Sequence, residues 1–160
     1  MTRSLSFNMS PKDFRISTFG PVIKHCAQMA RNLCAEMRSG FGALRCHCPM
    51  KIGADLHQEG AIIWRDQPNV RRDVVRLDTA WENARTLSRG PFLCGKDFGA
   101  VDAYFVPVVM RLKYYSLPVS DACHVYMDQI CNVPAVQEWI ASAIKEAEFL
   151  DFEEPFRLAP

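Results

Sequence analysis

The sequence has almost no excess of either charge: Lys and Arg number 19 against 18 Asp and Glu, for a net charge of +1. With no long run of one sign, it lacks the concentrated basic surface that a phosphate backbone requires, so nucleic acid is not an expected partner. Long apolar runs are missing too. Stretches such as Ala103 to Met110 fall far short of the roughly 20 residues that cross a bilayer, and no membrane partner is predicted. The opening residues MTRSLSFNMS mix polar with apolar side chains where a secretory signal needs an unbroken apolar core, so a cytoplasmic location is expected. Alternation that would suit a sheet is confined to Leu5, Phe7 and Met9, and this stretch reads as a loosely docked tail rather than a strand. Internal repeats and low-complexity segments are absent.

The seven cysteines are odd in number, and Cys26, Cys34, Cys123 and Cys131 fall on helical patterns, as free thiols of a reducing compartment do. Cys46, His47 and Cys48, with Cys34 and His57 in the neighbourhood, are zinc-ligand types. A single intervening residue, however, rarely lets two sulfurs reach one tetrahedral ion, and no metal is expected. Cys94, in a loop, is the position at which an accessible reactive thiol is considered.

What the chain does have is helical periodicity. With 160 residues, 49% of them hydrophobic, it is sized for one soluble domain. Val22, Cys26, Met29, Ala30, Leu33, Met37, Phe41 and Leu44 step by threes and fours, predicting a long first helix from Pro21 to about Leu44 whose last turns Gly40 and Gly42 weaken. Residues Lys51 to Asn69 hold Gly53, Gly60 and Pro68 with no sustained period and are expected to be a loop, with a short turn around Ala61 to Trp64. A second helix is predicted from about Val70 to Ser88, ended by Gly90-Pro91. The third, about Ala100 to Ser116, is apolar nearly all round and therefore central, with Pro107 expected to bend it. A fourth follows the N-cap Ser120 to about Cys131, and a fifth opens at Pro134 and ends near Glu148. The expected class is all-α, a bundle of about five main helices over residues 21–149, between tails at 1–20 and 150–160.

The start of the third helix has its own chemistry. A carboxylate three positions after an N-cap reaches back to the N-cap N–H, and here those positions are Asp102 and Gly99. Glycine lacks the forward half of the reciprocal pair, a loss of only a few tenths of a kcal/mol. Asp102 is accordingly read as a structural cap rather than a catalytic acid.

The segment 90–111, GPFLCGKDFGAVDAYFVPVVMR, resembles the signature of the C-terminal helical domain of bacterial glutathione S-transferases. Residues 34–45, CAEMRSGFGALR, resemble that family's first C-domain helix, and Tyr126-Met-Asp and Pro134-Ala-Val-Gln-Glu-Trp139 also fit its pattern. The likeness covers roughly Ala27 to Glu148; Gly99 departs from it, since the family usually has Ser or Thr there. By resemblance, Met37, Arg38 and Phe41 of the first helix and Met110 and Tyr114 of the third would line the apolar wall of an acceptor-substrate pocket. Packing in the core is the competing reading for Met37, Phe41 and Met110. Arg111 is read as a solvent-directed charge or an ion-pair partner for the first helix, such as Glu36.

In that family glutathione is held by a separate thioredoxin-like domain, and residues 1–20 contain no such alternation of strands and helices. Ser4, Ser6 and Ser10 have no scaffold to make them activating groups, so no catalytic residue is assigned and no cofactor is expected to be bound by this chain alone. Glutathione would be the co-substrate of a complete family member, conjugated to small apolar electrophiles. The alternatives are a non-catalytic protein-interaction module and a truncated inactive fragment. In each case the exposed face of the first helix is expected to find a second copy or the missing domain.

Overall fold

A computed structural model describes residues 21–146. The tails, with Leu5, Phe7, Met9 and the serines Ser4, Ser6 and Ser10, lie outside these residues, as does the predicted end of the last helix at Glu148. The described residues are all-helical: α1 (Pro21–Ser39), α2 (Gly42–His47), α3 (His57–Asp66), α4 (Pro68–Ser88), α5 (Ala100–Tyr114), α6 (Asp121–Cys131) and α7 (Pro134–Glu146). They contain no strand, only an isolated bridge between Phe92 and Gly95.

Two of the seven helices were not expected. The long first helix divides because Phe41 takes a left-handed backbone, with φ at 54°, and turns the chain between α1 and α2. Its flanking glycines make helix the weaker option there. The predicted loop contains α3, which has no side-chain cap of its own. Tertiary contacts hold α3 instead. Arg71 of α4 donates to the carbonyls of Trp64 and Arg65, and Gly60 lies so close to the next layer that a Cβ would sit 1.8 Å from the carbonyl oxygen of Tyr115.

α5 is the centre, as its composition predicts. Val101, Phe105, Val106, Val108, Val109, Met110 and Leu112 are all buried, and Pro107 lies within the helix. Trp81 of α4 is fully buried and meets Phe105 and Tyr126 edge-on, with ring centroids 5.5 and 4.9 Å away. Such aromatic contacts add about 1 kcal/mol each beyond area burial. α5 ends in a reverse turn. Leu117 N–H reaches back to the Leu112 carbonyl at 3.0 Å and Ser116 N–H to that of Lys113 at 3.1 Å, with Ser116 left-handed in the place glycine usually takes.

α6 starts as the sequence predicts. The Ser120 hydroxyl accepts from Cys123 N–H at 3.2 Å and donates to Asp78 of α4 at 2.5 Å, so one cap also ties two helices together. At the far end of α4 the chain turns through Arg89 and Gly90. A Cβ on Gly90 would lie 2.0 Å from the Gly95 carbonyl, so only glycine closes this turn.

Candidate functional site

Two polar constellations stand out, one at each end of α5. The first is built on Asp102, whose side chain is fully buried. One carboxylate oxygen accepts from Gly99 N–H at 2.9 Å, the expected backward half of the cap; the forward half is missing because glycine has no side chain. The other oxygen accepts from Leu93 N–H and from the Tyr126 hydroxyl, both at 3.0 Å. Asp102 therefore fastens the 90–98 loop and α6 to the start of α5. Burial holds its carboxyl above the ordinary range, against the pull of the Leu93, Gly99 and Tyr126 hydrogen bonds. Burial, followed by the charge of Asp102, raises the Tyr126 phenol. All three partners are structural, and the site is closed to solvent.

The second constellation ties α2, the turn before it and the residues after it to α4 and α5. Asp73 of α4 accepts from Leu44 N–H at 2.9 Å and so caps the short α2 from outside. Arg45 reaches back 2.9 Å to the Met37 carbonyl, one of the helix-end acceptors that the turn at Phe41 leaves without an N–H. Arg111 of α5 donates to the Cys48 carbonyl at 2.9 Å and to Pro107 of its own helix at 3.1 Å. The Tyr115 hydroxyl donates to the Pro49 carbonyl at 3.2 Å. Burial and then the nearby charge of Arg45 lower the Arg111 pKa, while burial pushes the Cys48 thiol up to about 12.

The expected pairing of Arg111 with Glu36 does not occur. Glu36 is taken by Arg76 of α4 in a two-pronged contact at 2.5 and 2.8 Å, because α1 packs against α4 as well as α5.

Of the residues assigned to an acceptor pocket, Met37 and Tyr114 are half-buried and Arg38 is exposed; the Met37 carbonyl is the acceptor that holds Arg45. Phe41 and Met110 belong to the core, at 5% and 0% exposure, and offer a ligand almost no surface. None of the five lines either of two surface depressions. One is a shallow face of α4 around Arg72 and Val75; the other is a groove of about 300 Å³ between α1 and α4, floored by Met29, Leu33 and Ala84.

Cys94 is half-buried, and its thiol donates weakly to the Cys26 carbonyl at 3.8 Å. Burial, with Asp102, Cys26 and Cys34 adding to it, pushes its pKa up to about 11, the reverse of thiolate activation. Among the described residues, no group of three or more His, Cys, Asp and Glu could hold a metal ion, and no helix is long and apolar enough to cross a membrane. Comparison with known protein families, curated proteins and solved structures finds no match to this chain.

Proposed function

We propose that the chain is the acceptor-side helical domain of a glutathione transferase-like protein, acting in the cytosol and conjugating glutathione to small apolar electrophiles when a thioredoxin-like unit supplies the glutathione site. The observation that carries this reading is the buried Asp102 reaching back to Gly99 at the start of a central apolar helix, the arrangement that the resemblance of residues 90–111 implies. Its own contribution would be an apolar wall that keeps water from the reacting thiolate. The accessible part of that wall falls to Met37, Arg38 and Tyr114, with Phe41 and Met110 supporting it from the core.

The test combines chlorodinitrobenzene binding, read by tryptophan quenching, with a conjugation assay in the presence of glutathione. The purified chain should bind the electrophile and should neither bind glutathione nor form conjugate alone. Glutathione binding by this chain would overturn the division of labour, and absence of electrophile binding would overturn the pocket.

A second reading, an interaction module, is favoured by α1. Leu33 is the buried residue among those whose burial is described, whereas Cys26, Met29, Cys34 and Met37 keep part of their surface open. Half-covered apolar faces of this kind support pairing with a second copy or a partner domain. Sedimentation equilibrium would show a concentration-dependent dimer; a monomer at every concentration would remove the self-pairing version.

A further inference from the structure

Closing a disulfide needs reach first and a thiolate second. Among the described residues, the thiols of Cys123 and Cys131 meet Asp78 and Lys113, whereas that of Cys94 is directed at another cysteine residue. Its Sγ lies 3.8 Å from the carbonyl oxygen of Cys26, 68 positions earlier in the chain. Adding standard covalent distances to that contact leaves the two Cα atoms no more than about 9 Å apart. Bridged cysteines have Cα atoms roughly 4.4–6.8 Å apart, so a rotamer change and a shift of about 2 Å close the gap. Both residues are half-buried and within reach of a small reagent, unlike the buried Cys48 and Cys123.

The loop and the helix that carry the pair are held differently. Leu93 donates its N–H to buried Asp102, and Phe92 and Gly95 exchange backbone bonds around Cys94, so the loop fixes where the Cys94 sulfur stands. Glu36 ties the second half of α1 to Arg76 of α4. In the first half, Gln28 bonds Asn32 and Arg31 of the same helix, and the Cys94 thiol reaches it from the loop. A small shift of that half leaves both the Glu36 pair and the Asp102 cap in place. Cys94, its thiol pushed up to about 11 by burial and then by Asp102, is a poor first nucleophile and is suited to a second attack at close range.

We propose that Cys26 and Cys94 close to a reversible disulfide that pins the first half of α1 to the 90–98 loop, with a small organic disulfide as the oxidant. Cys26 loses its proton to solvent and its Sγ attacks one sulfur of the reagent. The reagent's S–S bond breaks, a mixed disulfide forms on Cys26, and one reagent thiolate leaves and takes up a proton. Cys94 then gives up its proton and attacks the Cys26 sulfur, forming the protein S–S bond and expelling the second reagent thiol. Two protein thiols are oxidised and one small disulfide is reduced to two thiols. The pair stands on the contact between Cys94 and Cys26 and not on the transferase reading, so glutathione is left out of the test.

The full chain is treated in its native state with hydroxyethyl disulfide, quenched in acid and digested with trypsin without reduction. Trypsin separates the relevant thiols, leaving Cys26 in peptide 25–31, Cys34 in 32–38 and Cys94 in 90–96. Mass spectrometry should find 25–31 joined to 90–96 as the main linkage, lighter than their sum by two hydrogens and lost on treatment with dithiothreitol. The melting temperature of the oxidised chain should rise by about 5 °C or more, because the bridge closes a long loop in the unfolded chain, and should return on reduction. Cys94→Ser should leave Cys26 as the mixed disulfide and remove the rise. Circular dichroism checks folding; should Cys94→Ser unfold, Cys26→Ser, which should leave peptide 90–96 unbridged, decides. Absence of the bridge, a bridge from 90–96 to 32–38 in its place, an equal share of the same linkage in the urea-unfolded chain, or a bridge without a change in melting would each overturn the proposal.

Discussion

The two ends of α5 treat buried charge in opposite ways. At its start, Asp102 is sealed from water and meets three donors, from Gly99, Leu93 and Tyr126. Toward its end, Arg111 keeps partial exposure and donates to main-chain carbonyls, those of Cys48 and Pro107. A saturated buried charge specifies a fold, because every neighbour it satisfies would otherwise be stranded. A half-exposed one can leave its remaining donors to water.

The contrast breaks most completely at Asp102. Asp102→Ala leaves Gly99 and Leu93 N–H and the Tyr126 hydroxyl without their acceptor, and stability should fall by roughly 3 kcal/mol or more, read from urea denaturation. An unchanged midpoint would mean that the three donors are not held in this way. Next comes Gly60→Ala, whose new methyl would sit 1.8 Å from a backbone oxygen of Tyr115. Pushing α3 off that contact should cost about 1–3 kcal/mol, and a melting temperature equal to that of the parent would show that the layers are looser than described.

Smaller again, Ser120→Ala removes the α6 cap and the contact with Asp78, a loss of about 1 kcal/mol by the same denaturation measurement.

The last effect is a slope with pH. The Asp102 carboxyl is raised by burial, so the folded state favours its neutral form. Its contribution to stability is full below the unfolded carboxyl value of about 4 and is lost as pH rises through the folded value. Asp78 runs the other way. Burial pushes its carboxyl up, but hydrogen bonds from Cys123 and Ser120 outweigh this and hold it low. Its contribution is present above the ordinary value and is lost as pH falls through the folded one. Denaturation midpoints of Asp102→Asn and Asp78→Asn, each subtracted from the parent across acid to neutral pH, should therefore slope in opposite directions; parallel differences would refute the pairing.

Much of this architecture was readable because its signals are local. Ser120 and Pro134 open α6 and α7 where a capping residue and an N-terminal proline are expected, and the spacing of Gly99 and Asp102 identified the carboxylate that starts α5. What escaped notice depends on distance. α3 is held by Arg71 and by the backbone at Tyr115, so its own short apolar pattern reads as a turn. Leu93 and Tyr126 lie nine and 24 residues from Asp102, and no spacing rule joins them to it. The same limit misassigned Glu36, whose actual partner is 40 positions away in α4. The break at Phe41 escapes for a different reason, since helical periodicity alone runs straight through it.

That break makes Phe41 difficult to replace. Its φ of 54° is a backbone setting that glycine or asparagine adopts far more readily, whereas its ring, 5% exposed, fills space that only a large apolar side chain can occupy. A smaller residue would ease the corner and hollow the interior; a β-branched one would fill part of the interior and resist the corner. Few of the twenty amino acids meet both demands, so mutational scanning should find position 41 among the least permissive in the chain although it lies in no helix.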